Sequence, residues 1–395
     1  MLLKWIVNNK KDVKAHTPLL SKKNLCEVKT FHESFEQYKK TPLVKLDGLA
    51  NFLGLSNVFV KDESLRFGLN SFKVLGASYA IGKHLAQKLD KNISELPFSV
   101  LKSEKVKSDL GNLTFVATTD GNHGRGVAWM AKQLGYKCIV YMPKGSTQNR
   151  LNNIAEFGAD VSITDWNYDD AVRFTAKQAS KNGWEVIQDT SWEGYTEIPT
   201  WIMKGYSTLA QEAIEQLHGT VPTHVFLQAG VGAFASVIAS VFVSAFEKNP
   251  PKIIIVEPEK ADCFYKSCKA GKIEAVTGEM NTIMAGLACG EPNPMGWNIL
   301  KYCADAFVSV PDWVTARGMR VLGNPLKGDN RIISGESGAV TAGLLSISSE
   351  DKYKDLRETL KLDENSNVLL ISTEGNTDPK VYRNITWDGD YQSLI

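Results

Sequence analysis

Asn70-Ser71-Phe72-Lys73-Val74-Leu75-Gly76-Ala77 sets a lysine where a surface lysine would not sit. Phe72 and Leu75 bracket it, and Gly76-Ala77 leave almost no side-chain bulk beside it. A lysine among apolar, close-packed neighbours is costly to keep charged, so its pKa is expected to fall. A neutral amine is what a carbonyl-trapping lysine needs. Taken alone, the segment also reads as a helix lysine snorkelling past apolar neighbours. The surrounding chain decides between the two.

Around this segment, short β-branched runs alternate with helical patterns. The strand candidates are Val58-Phe59-Val60, Thr114-Phe115-Val116-Ala117, Cys138-Ile139-Val140-Tyr141, Val161-Ser162-Ile163 and Val186-Ile187. Further on come Val225-Phe226-Leu227, Ile253-Ile254-Ile255-Val256, Phe307-Val308-Ser309-Val310 and Val368-Leu369-Leu370-Ile371. Several are apolar at consecutive positions, as strands covered on both faces must be. Helical patterns lie between them over 124–134, 147–157, 168–181, 198–217 and 339–346. The alternation predicts an α/β fold of two open, mostly parallel sheets flanked by helices. A small domain of residues 76–195 is expected inside a large domain of residues 1–75 and 196–395. Residues 88–112, more polar than their surroundings, read as a connection or insertion.

Bulk properties exclude several functions. The chain has 395 residues, 45 Lys+Arg against 44 Asp+Glu, and no basic block, so neither a nucleic acid nor an anionic membrane is expected as partner. No secretory leader is read at Met1–Asn8, and the cytoplasm is the expected compartment. Ala229–Phe246 carries no formal charge over 18 residues. Its glycines and serines predict a strand, a glycine turn and a buried helix rather than a bilayer span of about 20 apolar residues. Six cysteines at 26, 138, 263, 268, 289 and 303 form no Cys-x-x-Cys pair, which argues against structural zinc.

Four further segments carry polar chemistry. Thr118-Thr119-Asp120-Gly121-Asn122-His123-Gly124 follows a strand and opens a helix, a turn whose free N–H groups suit a carboxylate. A plain helix cap by Asp120 or Asn122 is the simpler reading of the same residues. Gln228-Ala229-Gly230-Val231-Gly232-Ala233-Phe234 has the small residues that let a backbone approach a phosphate at a helix N-terminus. It is neither a Walker loop nor a full dinucleotide fingerprint. Ser334-Gly335-Glu336-Ser337-Gly338-Ala339 and Ser372-Thr373-Glu374-Gly375-Asn376-Thr377 complete the set, the latter at the carboxyl end of the last strong strand. Both also read as ordinary turns.

In this order the five segments, spanning residues 70 to 378, resemble the fold-type-II pyridoxal-phosphate enzymes: threonine and serine dehydratases, serine racemases and cysteine synthases. The resemblance is closest to a branch of ammonia-lyases acting on 2,3-diaminopropionate. It runs through Phe67-Gly68-Leu69-Asn70, Thr118–Gly126, Trp192-Glu193-Gly194-Tyr195, Met284–Glu291 and Ser372–Gly375. It covers nearly the whole chain apart from the ends and residues 88–112. It implies that Lys73 holds pyridoxal 5'-phosphate covalently, that Asn122 bonds the ring oxygen and that Thr373 bonds the pyridine nitrogen. A hydroxyl partner leaves that nitrogen largely unprotonated. Gly230, Val231, Gly232 and Ala233 are implied to cup the phosphate, with Gly286 facing the cofactor and Glu336 lining the pocket near the ring. A homodimer is also implied.

Two departures from the wider superfamily bear on specificity. Relatives acting on hydroxyl amino acids usually carry Ser or Ala where this chain has Asp120. A carboxylate there suits a substrate with an extra ammonium, or a base for the α-proton on one face while Lys73 serves the other. Thr119, Asn122 and His123 share the expected substrate-binding turn. Asp189 is a second candidate for the side-chain amine, or else a turn cap. The resemblance therefore implies α,β-elimination of D- and L-2,3-diaminopropionate to pyruvate and two ammonia. The alternative is a serine or threonine dehydratase, or an amino-acid racemase, on the same scaffold. Serine-racemase-like enzymes place a metal-binding carboxylate six residues after the glutamate of Val256-Glu257-Pro258, where this chain has Cys263. No hard-cation site is expected. A Cys263–Cys289 pair is the other possibility the resemblance raises.

Overall fold

The computed structural model of the chain describes residues 3–16, 18–119 and 121–393. The strands are β1 (Lys4–Val7), β2 (Leu43–Lys45), β3 (Asn57–Asp62), β4 (Thr114–Thr118), β5 (Lys137–Met142), β6 (Asp160–Ile163), β7 (Glu185–Val186), β8 (His224–Gln228), β9 (Lys252–Pro258), β10 (Ala306–Val310) and β11 (Asn367–Ser372). They form a seven-stranded sheet ordered β1-β10-β9-β8-β11-β3-β2 and a four-stranded sheet ordered β6-β5-β4-β7. Every interior pairing is parallel; only the edge strands β1 and β2 run antiparallel. Both edges went unread in the sequence. Each is three or four residues long and half-exposed, so neither shows the apolar run of a strand covered on both faces.

Two compact units emerge. The first comprises Met1–Leu19, Thr41–Leu65 and Leu209–Ile395, and the second Leu20–Lys40 and Arg66–Thr208. Residues 76–195 lie wholly within the second unit, which takes in more chain on either side. The Lys22–Glu33 helix belongs there because His32 reaches the Lys73–Lys88 helix, its Nε2 lying 3.0 Å from the Leu75 carbonyl oxygen. In the first unit, the helix Ala233–Ala245 follows the all-buried strand β8 and is itself buried from Ala233 to Val243, which explains why residues 229–246 lack charge. That helix is the buried one expected after the glycine turn, and no helix among the described residues is long and apolar enough to cross a membrane. Residues 88–112 form short helical turns. One of them drives Phe98 into the interior, where its ring stacks on Phe35 at 4.1 Å and 13°.

The second unit sets the lysine helix by backbone contact. A Cβ on Gly205, in the Glu197–Gln216 helix, would lie 2.4 Å from the Leu75 carbonyl oxygen and 2.8 Å from the Gly76 Cα. A Cβ on Gly76 would lie 2.5 Å from the Tyr206 ring. On a third helix, Asn122–Leu134, a Cβ on Gly126 would lie 3.0 Å from the Val74 Cα. Glycines thus let three backbones meet around the first turn that carries Lys73. Gly205→Ala is expected to cost about 3 kcal/mol or more, because backbone and not a flexible side chain must move. An unchanged urea midpoint would show that the helices part freely.

Candidate active site

In the second unit, Lys73 opens its helix, and its Nζ lies 2.7 Å from Asp189 Oδ2. Both side chains are largely buried, and the Phe72 and Tyr206 ring centroids lie 5.7 and 6.0 Å from Nζ. Phe72 is one of the apolar neighbours expected from the sequence, and Tyr206 joins it from a distant helix. A carboxylate 116 residues away in sequence also faces the amine, a partner that the apolar reading of the segment did not include. Burial alone would raise the Asp189 carboxyl. The charges of Lys73 and His123 and the hydrogen bonds from Lys73 and Tyr168 hold it well below the usual carboxylate range instead. The pair is ionic.

Asp189 is not a turn cap. Its Oδ1 accepts from the Tyr168 hydroxyl at 3.2 Å, and that hydroxyl accepts from Gln188 Nε2 at 2.8 Å. Gln188 N in turn donates to the Tyr195 hydroxyl, which donates to the Val186 carbonyl, at 2.9 and 2.8 Å. Tyr195 is held by a tight bridge to Trp192, with the two rings stacked at 4.1 Å. The Trp192–Tyr195 motif therefore acts as a support for Asp189. Tyr168 and Gln188, which the sequence did not single out, belong to the same support.

The turn after β4 brings Thr119, Asn122 and His123 into this unit. Thr119 Oγ1 accepts from Gly121 N at 2.9 Å. Asn122 begins the Asn122–Leu134 helix. His123 Nε2 lies 2.7 Å from the Ile187 carbonyl oxygen, which only accepts, so Nε2 carries a proton there. Its Nδ1 is 4.0 Å from Asp189 Oδ2. His123 thereby ties the helix start to the segment bearing Asp189. Asp120 lies outside the described residues.

The first unit gathers the remaining motifs at neighbouring strand ends. Gly230, Val231, Gly232 and Ala233 are all buried between β8 and the Ala233–Ala245 helix, and Gly232 has φ 85°. Their four consecutive N–H groups donate to no acceptor among the described residues. Buried amides are nearly always satisfied, so four in a row at a helix start form a cradle for an anion. A Cβ on Gly230 would meet the Gly286 carbonyl oxygen and the Leu287 Cα, both at 3.1 Å, so Gly286 lies against the loop. Ser337 Oγ accepts from Gly286 N at 3.1 Å, and Glu336, beside it, is buried with its carbonyl bonded to Thr315 Oγ1.

Thr373 follows β11 and is 4% exposed. Gln228, which ends the adjacent strand β8, has Nε2 at 3.0 Å from the Ile371 carbonyl oxygen and 2.8 Å from Thr373 Oγ1. The carbonyl fixes the amide orientation, so Thr373 accepts from Gln228 and its own O–H remains to donate. A pyridine nitrogen without a proton is the acceptor such a group suits. Gln228 was legible as the one polar residue ending an apolar strand, but its partner was not. An amine, a cradle of backbone N–H groups and a hydroxyl donor, the kinds of group that pyridoxal phosphate calls for, are therefore present among the described residues.

Cys263 and Cys289 are not joined; all six cysteines are thiols. Cys263 Sγ is engaged elsewhere, 3.7 Å from Glu257 Oε1 and 3.8 Å from the Gly230 carbonyl oxygen. Both Glu257 oxygens accept backbone N–H groups, from Phe264 at 2.8 Å and Tyr265 at 2.7 Å.

Comparison with known proteins gives the same answer. The family described as pyridoxal-phosphate dependent enzyme matches residues 35–374. The chain is 52% identical over 379 residues to the diaminopropionate ammonia-lyase of Escherichia coli strain K12, covering 95% of this chain and 94% of that protein. The crystal structure of holo diaminopropionate ammonia lyase from Escherichia coli aligns with a TM-score of 0.93 at 50% identity, over 99% of this chain and 98% of that one. The structure of the same enzyme in complex with an aminoacrylate-PLP azomethine reaction intermediate gives 0.92 at 49% identity, over 99% and 98%.

Proposed function

The chain belongs to the pyridoxal-phosphate dependent enzyme family, and from that premise we propose a role for each residue of its site. The reaction is the α,β-elimination of 2,3-diaminopropionate to pyruvate and two ammonia, catalysed by a carbon–nitrogen lyase. Lys73 holds the cofactor covalently. The N–H groups of residues 230–233 hold its phosphate, Thr373 its ring nitrogen and Asn122 its ring oxygen, while Gly286 and Glu336 line its pocket. When bound, pyridoxal phosphate supplies an electron sink for the pair left when the substrate's Cα–H bond breaks.

The protein's own groups do the rest. Asp189 receives the substrate's β-ammonium, and the ionic Lys73–Asp189 pair is the observation that carries this assignment. A carboxylate that burial has not neutralised, set beside the reactive amine, suits a substrate with a second positive charge. A hydroxyl amino acid brings no such charge. Thr119 and the N–H groups of the Asn122 helix start take the α-carboxylate, and His123 holds that turn in place. Lys73 Nζ removes the α-proton from one substrate face and Asp120 from the other, which suits turnover of both D and L substrates. The β-amino group leaves as ammonia. Water then converts the released aminoacrylate to pyruvate and the second ammonia.

A cytoplasmic location and a homodimeric assembly belong to the same reading. The first is supported by the absence of any disulfide among the six cysteines and the second by the superfamily resemblance. A pyruvate-coupled assay with D- and L-diaminopropionate and with serine tests the whole assignment. Diaminopropionate is expected to be strongly preferred, and Asp120→Asn to lose D turnover far more than L. Faster turnover of serine would make the protein a dehydratase. Equal loss of both enantiomers would make Asp120 a binding group.

A further inference from the structure

We propose that Glu257 and Cys263 are positioning residues for the phosphate loop, holding Gly230 and Gly232 in place from the helix beneath them. The inference rests on the reading that residues 230–233 hold the cofactor phosphate. Its starting point is a buried carboxylate that the reaction does not use. Glu257 lies near the end of β9 with no exposed surface. Its two oxygens take the N–H groups of Phe264 and Tyr265, the second and third residues of the Cys263–Ala270 helix. These are first-turn amides that the helix itself cannot satisfy. The carboxyl thus locks that turn to the sheet.

The locked turn reaches the loop twice. Cys263 Sγ lies 3.8 Å from the Gly230 carbonyl oxygen while also 3.7 Å from Glu257 Oε1. Phe264 lies so close beneath Gly232 that a Cβ there would be 2.2 Å from its ring. Consecutive side chains of one clamped turn therefore fix two glycines of the four-residue cradle. A backbone cradle binds an anion well only if its N–H groups are aimed before the anion arrives, since ordering them on binding weakens affinity. Burial favours the neutral Glu257 carboxyl, pushing it up to about 8, which accords with an interior post and not a solvent-facing charge.

The test separates phosphate recognition from general stability. Full-length enzyme, stripped of cofactor, is titrated with pyridoxal phosphate and with pyridoxal, following the visible absorbance of the Lys73 adduct. Glu257→Gln sets an NH2 against one backbone N–H, and Cys263→Ala removes the contact with Gly230. Each is expected to weaken pyridoxal phosphate binding by about tenfold or more and to leave pyridoxal unchanged. Cys263→Ser, which keeps a donor, is expected to stay within about threefold of the parent. Equal weakening of both ligands, or no effect of Cys263→Ala, overturns the inference. Should the unmodified enzyme hold pyridoxal as tightly as pyridoxal phosphate, the phosphate-loop reading itself fails. Cys263→Ala alone decides the matter if Glu257→Gln does not fold.

Discussion

Lys73→Ala is expected to abolish ammonia release, with turnover falling by at least on the order of a thousandfold, and to remove the protein's visible cofactor absorbance. In the proposed assignment the lysine holds the cofactor and is a base for the α-proton, so its loss removes two roles at once. Lys73→Arg separates chemistry from electrostatics. Arginine keeps a cation beside Asp189, yet its guanidinium stays protonated and cannot attach to an aldehyde. It should therefore be as inactive as the alanine variant while retaining the ion pair. The unloaded proteins should differ in acid. Asp189 is depressed below its ordinary value of 3.8 by Lys73, so the pair stabilises the fold above that pH and is lost as pH falls below it. Lys73→Ala should lack that acid-sensitive part of its stability, and Lys73→Arg should keep it. An unchanged visible spectrum in Lys73→Ala would show that another residue carries the cofactor.

Asp189→Asn is expected to reduce kcat/KM for diaminopropionate by about a hundredfold. The amide matches the carboxylate in shape and still accepts from Tyr168, but it offers no charge to a second ammonium. The accompanying loss on serine, measured as a slow side reaction, should be much smaller, because serine's β-substituent carries no charge. The unloaded variant should lose the acid-sensitive stability of the pair, as Lys73→Ala does, while Tyr168, Gln188 and Tyr195 still support the segment. Equal losses on both substrates would mean that Asp189 serves the geometry of Lys73 and does not read the substrate.

Lys73 was legible in its own segment, whereas its neighbour Asp189 comes from 116 residues away. The parallel strands and the glycine loop were legible because each is written in contiguous residues. A strand covered on both faces must be an unbroken apolar run, and a turn that gives its amides to an anion must be made of small residues. Edge strand β1 was not legible, since its partner β10 lies some three hundred residues away and the exposed face of β1 needs no apolar pattern. The short helical turns of residues 88–112 were equally hidden. What orders them is the stacking of Phe98 on Phe35, a contact that local composition does not reveal.

The sequence by itself determined an α/β fold, the lysine, the order of the cofactor segments and so the superfamily. Those features depend on local backbone demands: periodicity, glycine and helix starts. Only the tertiary structure decided the electrostatic state of the site. Lys73 reads as a neutral amine in apolar company, and folding instead sets Asp189 at 2.7 Å from it. Cys263 reads as a thiol open to pairing with Cys289, and folding sets it between Glu257 and Gly230. A charge or a thiol is governed by whatever lies within a few ångströms, and in a buried site those neighbours come from distant parts of the chain.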